Sequence, residues 1–386
     1  MRVFIIAGEP SGDRLGAALM AGLKDLSRDP VEFAGVGGVG MQAEGLNSQF
    51  EMSELSVMGL VEVLPKYRHL KRRIRETAAA ALAFAPDVIV TIDSPDFCLR
   101  VAKLVKGARD VPTVHYVAPS VWAWRAGRAA KMARVIDHVL ALLPFEKPYM
   151  EAAGMGCDFV GHPVVAEPLA SAQQAQDFRA THNLGDAPLI LALPGSRRGE
   201  VSRLAPVFGA TLQRILAQHP TARVALPMAQ GVEDSVRQLC ADWPGNPILI
   251  APTDGQGKRA ALRAADVALA ASGTVSLELA AASTPMVIAY EMNWLTRQIV
   301  SRMLKVDTVT LVNLVSETRA VPEFLGPDCR AENIAPAVLE VLKNPAEQDQ
   351  AMRITMKRLG AGGAPPGQRA AQAVLDVVKK TTFHSP

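Results

Sequence analysis

A strand that ends in a carboxylate and runs straight into a helix can hold a general base against a substrate. The first half of the chain has two such junctions. In Val88-Ile89-Val90-Thr91-Ile92-Asp93-Ser94-Pro95 an apolar run delivers Asp93 to a strand end, and Pro95 opens a helix. Asp93 is either a helix cap or a base. Asp96, in the first helical turn, suits the helix dipole and reads as structural. In Ala7-Gly8-Glu9-Pro10-Ser11-Gly12-Asp13 a Gly/Ser turn joins the first strand to the first helix, and its N–H groups can approach a ligand. Glu9, at the strand end, is the second catalytic candidate. Ser11 or Asp13 can cap the helix, and Ser11 can also meet a sugar hydroxyl.

The second half has turns of a different character. Leu193-Pro194-Gly195-Ser196-Arg197-Arg198-Gly199-Glu200 repeats the strand–turn–helix design with two arginines. An arginine fork at a helix N-terminus suits a diphosphate, with Arg197 and Ser196 as its contacts. A solvated arginine pair is the plainer reading. Ala271-Ser272-Gly273-Thr274-Val275-Ser276-Leu277-Glu278 offers N–H groups and hydroxyls from Ser272, Gly273 and Thr274, while Glu278 can accept ribose hydroxyls. A hydroxyl cap with an acidic first turn is the alternative. Together the two turns describe a pocket for a nucleoside diphosphate. Neither a dinucleotide fingerprint nor a Walker loop is present.

Three further segments carry chemistry. His115-Tyr116-Val117-Ala118-Pro119-Ser120-Val121-Trp122-Ala123-Trp124-Arg125 gathers His115, Trp122 and Trp124 after a strand, either to cover a core or to line a sugar site. Gly35-Val36-Gly37-Gly38-Val39-Gly40 permits close backbone approach, or is a flexible turn. Ser56–Arg75 mixes Lys66, Arg68, Lys71, Arg72, Arg73 and Arg75 with apolar residues. That pattern suits an anionic membrane surface, with Val57, Leu60, Leu64, Lys66 and Arg72 facing lipid, or an ordinary solvated helix face.

The elements that must position these residues alternate strand and helix. Val3–Ala7, Glu32–Val36, Val88–Ile92, Thr113–Val117, His138–Leu142 and Phe159–Val160 read as buried parallel strands, with helices over Gly12–Leu26 and Pro95–Lys106. The alternation restarts at Leu189–Leu193, Ala222–Pro227, Ile248–Ile250, Val267–Ala270 and Met286–Ala289. A length of 386 residues also asks for two domains of roughly 150–200 each. We expect an α/β domain over 1–163, a linker over 164–186, a second α/β domain over 187–364 and a last helix over 365–381. Ligands in such sheets lie beyond the carboxyl ends of the strands.

Composition excludes several classes. At 49% hydrophobic and 20% charged the chain is no disordered protein, and 5% aromatic residues argue against a base-stacking nucleic-acid surface. Cys98, Cys157, Cys240 and Cys329 have no metal or redox spacing, which fits a reducing compartment. The short apolar start is a first strand rather than a signal peptide, and no run reaches the ~20 apolar residues of a membrane span.

Taken in order, GEPSGD at 8–13, GVGGVGMQAEG at 35–45, ELSVMGLVEVL at 54–64, IDSPDF at 92–97, HYVAPSVWAWRAGR at 115–128, LPFEKPYME at 143–151, FVGHP at 159–163, LPGSRRGEV at 193–201, ASGTVSLE at 271–278, VNLV at 312–315 and VPEFLG at 321–326 resemble the lipid-A-disaccharide synthase family over nearly the whole chain. The resemblance implies a GT-B architecture: two Rossmann-like domains with parallel sheets facing across a cleft, and a last helix that crosses back to the first. It implies an inverting, metal-independent glycosyltransferase with no cofactor, lying peripherally on the cytoplasmic face of the inner membrane of a Gram-negative bacterium. The donor would be UDP-2,3-diacylglucosamine and the acceptor 2,3-diacylglucosamine 1-phosphate; no nucleic acid is implied. By motif, Asp93 takes the general-base position, and Arg197, Glu278 and Asn313 the nucleotide side. Ser316-Glu317-Thr318-Arg319 departs from the family's Gly-Arg pair, with Arg319 shifted. A UDP-N-acetylglucosamine epimerase, or another GT-B enzyme with a soluble substrate, is the competing reading; a nucleotide-sugar binding module is a third.

Overall fold

The computed structural model describes residues 1–55, 60–122, 127–291 and 306–383, and within these every side chain except those of 60–67, 382 and 383. The chain divides into two compact units, Met1–Ala166 with Leu359–Pro386, and Glu167–Arg358.

The first unit is built on seven parallel strands: β1 (Arg2–Ala7), β2 (Glu32–Val36), β3 (Asn47–Ser48), β4 (Val88–Ile92), β5 (Thr113–Tyr116), β6 (His138–Ala141) and β7 (Gly156–Phe159). Their order is β3-β2-β1-β4-β5-β6-β7. β1 shows why the strands read as unbroken apolar runs. Val3, Ile5 and Ala7 point to one face, where they meet Leu19 and Leu23. Phe4 and Ile6 point to the other, against Ile74, Ala78, Phe97 and Val101. Both faces are covered, so no position alternates to polar. Helix α1 (Pro10–Leu26) starts on Pro10 and buries Leu15, Leu19 and Leu23 at four-residue spacing. The other helices of this unit are α2 (Val39–Ala43), α3 (Leu60–Phe84), α4 (Pro95–Lys106), α5 (Gly127–Met132) and α6 (Lys147–Glu151).

The second unit holds β8 (Leu189–Leu193), β9 (Arg223–Pro227), β10 (Ile248–Ile250), β11 (Val267–Ala271), β12 (Met286–Tyr290) and β13 (Glu323–Leu325). They form a parallel sheet in the order β10-β9-β8-β11-β12-β13. Its helices are α7 (Ala172–Thr181), α8 (Arg198–Gln218), α9 (Glu233–Leu239), α10 (Gly255–Ala264), α11 (Val275–Ala282), α12 (Leu311–Ser316), α13 (Ala331–Lys343) and α14 (Ala346–Arg358). Residues 164–186, expected as a linker with a short helix, carry α7. There the Arg179 guanidinium donates to the carbonyls of Ala264 at 2.7 Å and Ala187 at 2.5 Å, tying the helix to the second sheet.

Helix α15 (Pro366–Phe383) returns to the first unit and packs along α1. The two helices meet through glycines. A Cβ on Gly22 would stand 2.8 Å from the Gly367 carbonyl, and one on Gly367 would stand 2.6 Å from the Ala18 carbonyl.

Three strands differ from the sequence expectation in instructive ways. β7 begins at Gly156 rather than Phe159, because an edge strand with Asp158 on it shows no apolar run. β3, two residues long with Asn47 exposed, and β13, three residues long and half-buried, have no counterpart in the sequence expectation.

Candidate active site

In each sheet the strand order reverses once, between β1 and β4 in the first unit and between β8 and β11 in the second. Crevices at the carboxyl ends of such a pair are where open α/β sheets place ligands. The Gly8–Glu9 and Asp93–Ser94 turns lie at the first, and the Ser196–Arg197 and Ser272–Thr274 turns at the second.

In the first unit Ala7 pairs with Ile92, so the turns that follow them, Gly8–Glu9 and Asp93–Ser94, are side by side. Asp93 and Ser94 are half-buried and both left-handed, with φ of 49° and 44°. Two consecutive non-glycine residues in that region are strained, and such strain collects at functional turns. The Asp93 N–H donates to the Tyr116 carbonyl at 3.0 Å, which fixes the turn to β5. Val117, at the end of β5, is a third outlier at φ 85°. The two turns touch: a Cβ on Gly8 would lie 2.4 Å from Ser94 Oγ and 2.9 Å from Ser94 Cβ. Glu9 is the extended N-cap residue of α1, half-buried, and its side chain does not cap the helix. Ser11 is exposed in the first turn of α1.

Asp13 is the structural member of this group. Its Oδ1 accepts from the N–H of Gly38 at 2.8 Å and of Met41 at 3.0 Å, and its Oδ2 from Gly40 at 2.8 Å. It therefore caps α2 from the neighbouring helix α1. The glycine turn is closed rather than flexible, since a Cβ on Gly38 or Gly40 would reach Asp13 Oδ2 at 2.7 or 3.0 Å. Gly38 and Gly40 make room for the carboxylate, while Gly35 lies against the Ile5 backbone and Gly37 against Leu46 and Met41.

His115, expected at the sugar site, belongs to the core. It is 1% exposed, and its Nδ1 bonds to Thr91 Oγ1 at 2.7 Å. Burial pushes its pKa down to about 4, so it is neutral. The reason is local: β5 runs on through Tyr116, so His115 is an interior strand residue. Trp122 lies where expected, after β5, with its ring edge-on to Phe145 at 5.1 Å. Trp124 lies outside the described residues. The sequence reading did not single out Glu146, the indole's partner. Trp122 Nε1 donates to Glu146 Oε1 at 3.4 Å, and Glu146 is 4% exposed. Its only sequence signal is a carboxylate placed between an apolar strand end and the Lys147-Pro148 helix start.

In the second unit Leu193 pairs with Ala270, which sets the arginine turn beside the Ser272–Thr274 turn. Gly195 takes φ 120°. Glu200, buried, folds back to accept from the Ser196 N–H at 3.2 Å and from Arg197 Nη1 at 3.3 Å. Arg197 remains two-thirds exposed at the N-cap of α8. Open space lies where Gly273 would carry a Cβ, and Thr274 makes no side-chain cap. Uncapped N–H groups next to an exposed guanidinium favour an anion. Glu278 is held by Lys258, whose Nζ donates to Glu278 Oε2 at 2.6 Å. Asn313 departs from expectation: it is 1% exposed, and its side chain is spent on Val321, donating to the carbonyl at 2.9 Å and accepting from the N–H at 3.0 Å. It locks α12 to the approach of β13 instead of reaching a ligand. Arg319 forks onto Asp307, with Nη2 to Oδ1 at 2.6 Å and Nε to Oδ2 at 3.2 Å.

Helix α3 carries the basic segment. Arg73 turns inward, bonded to both oxygens of Glu54 at 2.8 Å and stacked over Phe50. That guanidinium, with His69, holds the Glu54 carboxyl below its ordinary value. Arg68, Lys71, Arg72 and Arg75 form an exposed stripe at helical spacing, opposite buried Ile74 and Ala78. Arg72 is also bonded to His69 at 3.1 Å and lies 3.6 Å from Glu76. Val57 and the side chains of Leu60, Leu64 and Lys66 lie outside the described residues. Among the described residues no helix is long and apolar enough to cross a membrane, and no three His, Cys, Asp or Glu side chains gather as a metal set. The four cysteines are buried and unpaired, and burial pushes Cys157 and Cys240 up to about 12.

A family model described as lipid-A-disaccharide synthetase matches residues 3–377. The chain belongs to the lipid-A-disaccharide synthase family. A lipid-A-disaccharide synthase from Ruegeria pomeroyi is 68% identical over 97% of this chain and 95% of its own length. One from Rhodospirillum centenum is 47% identical over 98% and 95%. Solved structures show the fold that this glycosyltransferase family shares. A Neisseria meningitidis UDP-GlcNAc 2-epimerase bound to UDP-GlcNAc superposes with a TM-score of 0.64 at 12% identity, covering 98% of this chain and 100% of that one. Acinetobacter baumannii MurG superposes at 0.57 and 15%, covering 98% and 99%. The GT-B expectation holds. The epimerase alternative has only this distant likeness, whereas the relatives at high identity are named lipid-A-disaccharide synthases.

Proposed function

We propose that the protein transfers 2,3-diacylglucosamine from UDP-2,3-diacylglucosamine to 2,3-diacylglucosamine 1-phosphate, releasing UDP and a β-1,6-linked tetraacyl disaccharide 1-phosphate. One observation carries this reading beyond family membership. Each sheet presents its chemistry at its own reversal point, carboxylates in the first unit and anion-binding groups in the second. The acceptor 6-hydroxyl oxygen attacks the anomeric carbon as Asp93 takes its proton. The bond from that carbon to the UDP oxygen breaks, and its electron pair leaves with UDP. A single displacement inverts the centre from α to β. Arg197 and the N–H groups of Gly273 and Thr274, with Ser196 and Ser272, stabilise the departing diphosphate, so the step calls on no metal or cofactor. Glu9 orients the acceptor beside Asp93, and Ser11 and Trp122 line its sugar. Glu278, released from Lys258, receives the ribose hydroxyls.

The test is incubation with both acylated sugars, reading UDP release and the disaccharide by mass. Asp93→Asn should lower kcat by about 10²–10⁴. Turnover near that of the parent protein would remove Asp93 from the role of base.

The stripe of Arg68, Lys71, Arg72 and Arg75 suits the anionic cytoplasmic face of the inner membrane of a Gram-negative cell, where acylated substrates reside. Each cation near such a surface contributes about 1 kcal/mol. Co-sedimentation with phosphatidylglycerol vesicles should exceed that with phosphatidylcholine vesicles and fall when two of these residues become Glu. Equal sedimentation with both would refute it.

A further inference from the structure

Among the described residues of the first unit, Glu146 is a buried carboxylate at the carboxyl edge of the sheet that the proposed reaction leaves without a role. It follows the end of β6, next to β5, whose end carries Val117 and the segment leading to Trp122. One carboxylate oxygen accepts from the N–H groups of Leu142 at 3.1 Å and Leu143 at 2.9 Å; the other faces the Trp122 indole N–H. The ring also packs edge-on with Phe145. A carboxylate with both oxygens in use and 4% exposure is costly to keep unless its geometry matters.

We infer that Glu146 is a positioning residue, which holds the Trp122 indole at the carboxyl edge of the first sheet so that the ring presents a fixed face to the acceptor sugar. This rests on the reading above, in which the first unit takes the acceptor. Other charges of the neighbourhood are occupied with one another. Lys147 lies 3.6 Å from Glu151 and 4.0 Å from Asp158, and His138 bonds to Asp158 at 3.0 Å. Lys380 also acts on His138, and Cys157 on β7 is itself raised by burial and by the Glu146 charge. Among the described residues no ion pair to Glu146 is formed, and burial pushes its pKa up to about 7, against the pull of its Leu143, Trp122 and Leu142 bonds. The carboxylate that accepts from the indole therefore forms across neutral pH.

The experiment follows Trp122 emission in the full-length protein without substrate, as the difference between the parent protein and Trp122→Phe, from pH 5 to 9. We expect one transition with its midpoint near pH 7, absent from Glu146→Gln. With the acylated acceptor, Glu146→Gln should raise the acceptor KM roughly 5- to 20-fold and leave the donor KM unchanged, by loss of one charge-assisted hydrogen bond. The rise in acceptor KM below pH 7 should disappear in the same variant. Trp122→Phe keeps the contact with Phe145 but lacks the donor, so it should give the same KM shift, and the double variant no more. Emission that titrates identically in Glu146→Gln, or equal losses for donor and acceptor, overturns the inference. If no acylated sugar is transferred at all, the emission transition still stands or falls alone, which separates this inference from the functional reading.

Discussion

The contact between Gly8 and Ser94 joins the two turns that carry Glu9 and Asp93, and it can be tested by adding one carbon. In Gly8→Ala the new Cβ would lie 2.4 Å from Ser94 Oγ and 2.9 Å from Ser94 Cβ. Ordinary heavy-atom contact is roughly 3.5–4.0 Å, so the turns must part by about 1 Å. Rotating the hydroxyl away relieves only the first clash, because the Cβ contact remains. Overpacking of this kind costs about 1–3 kcal/mol. A misplacement of about 1 Å at a reacting group costs about 10² in rate. Ser94→Gly removes both clashing atoms and suits a residue at φ 44°, a region that costs other residues about 1–2 kcal/mol. Alone it should stabilise the protein by about 1 kcal/mol. Urea unfolding of the four proteins then gives a coupling free energy of about 1–2 kcal/mol, with Gly8→Ala milder in the Ser94→Gly background. Single-turnover transfer should show the double variant faster than Gly8→Ala. Equal costs for Gly8→Ala in both backgrounds would show that the turns do not hold each other, and the reasoning about Asp93 placement would fail with them.

Two further outcomes follow from buried groups. Asp13→Ala strands three N–H groups at the start of α2, two of them partly open to water, and should cost about 3 kcal/mol. At ~2–4 °C per kcal/mol that is a fall of about 6–12 °C in the melting point of the first unit; a fall under 2 °C would mean that the turn closes without its carboxylate. His115 and His162 are both lowered by burial to about 4, below the ordinary histidine value of 6.5. The unfolded chain then binds more protons than the folded one between pH 6.5 and 4, so stability present above 6.5 is lost as pH falls through that window. Each group contributes on the order of 3 kcal/mol. Melting points measured from pH 7 to 4 should drop more gently in His115→Asn than in the parent protein, and parallel curves would contradict the buried neutral state.

Much of this was legible because strands covered on both faces cannot alternate. β8 and β11 are unbroken apolar runs, β1 is apolar after Arg2 and β4 is interrupted by Thr91 alone; each ends at a reversal point with a Gly, Ser or Asp turn, so the strands and the turns are legible together. What the residues concealed was the use of their polar groups. The Gly35–Gly40 turn looked open to a ligand because glycine leaves room, but the Asp13 side chain fills it. His115 reads as functional because it opens the segment that holds Trp122 and Trp124, and Asn313 because it matches a family motif, yet each finds its partners within the core. Glu146 was passed over for the opposite reason: a carboxylate before a helix resembles a cap, and only the tertiary burial sets it apart. The left-handed backbone of Asp93 and Ser94 has no compositional mark, since neither residue is glycine.

The return of α15 to α1 makes the first unit discontinuous in sequence and the second an uninterrupted stretch. During synthesis these have different consequences. All of Glu167–Arg358 is available to fold before the closing helix leaves the ribosome, whereas the face of α1 that receives Ala370, Ala371, Val374 and Val377 stays uncovered until then. Gly22 and Gly367 permit contact at backbone distance, so the late arrival must dock in one register. The order of manufacture therefore leaves the sheet bearing Asp93 as the last part to be sealed, and a ribosome that stops before Pro366 releases a finished second unit joined to an unfinished first.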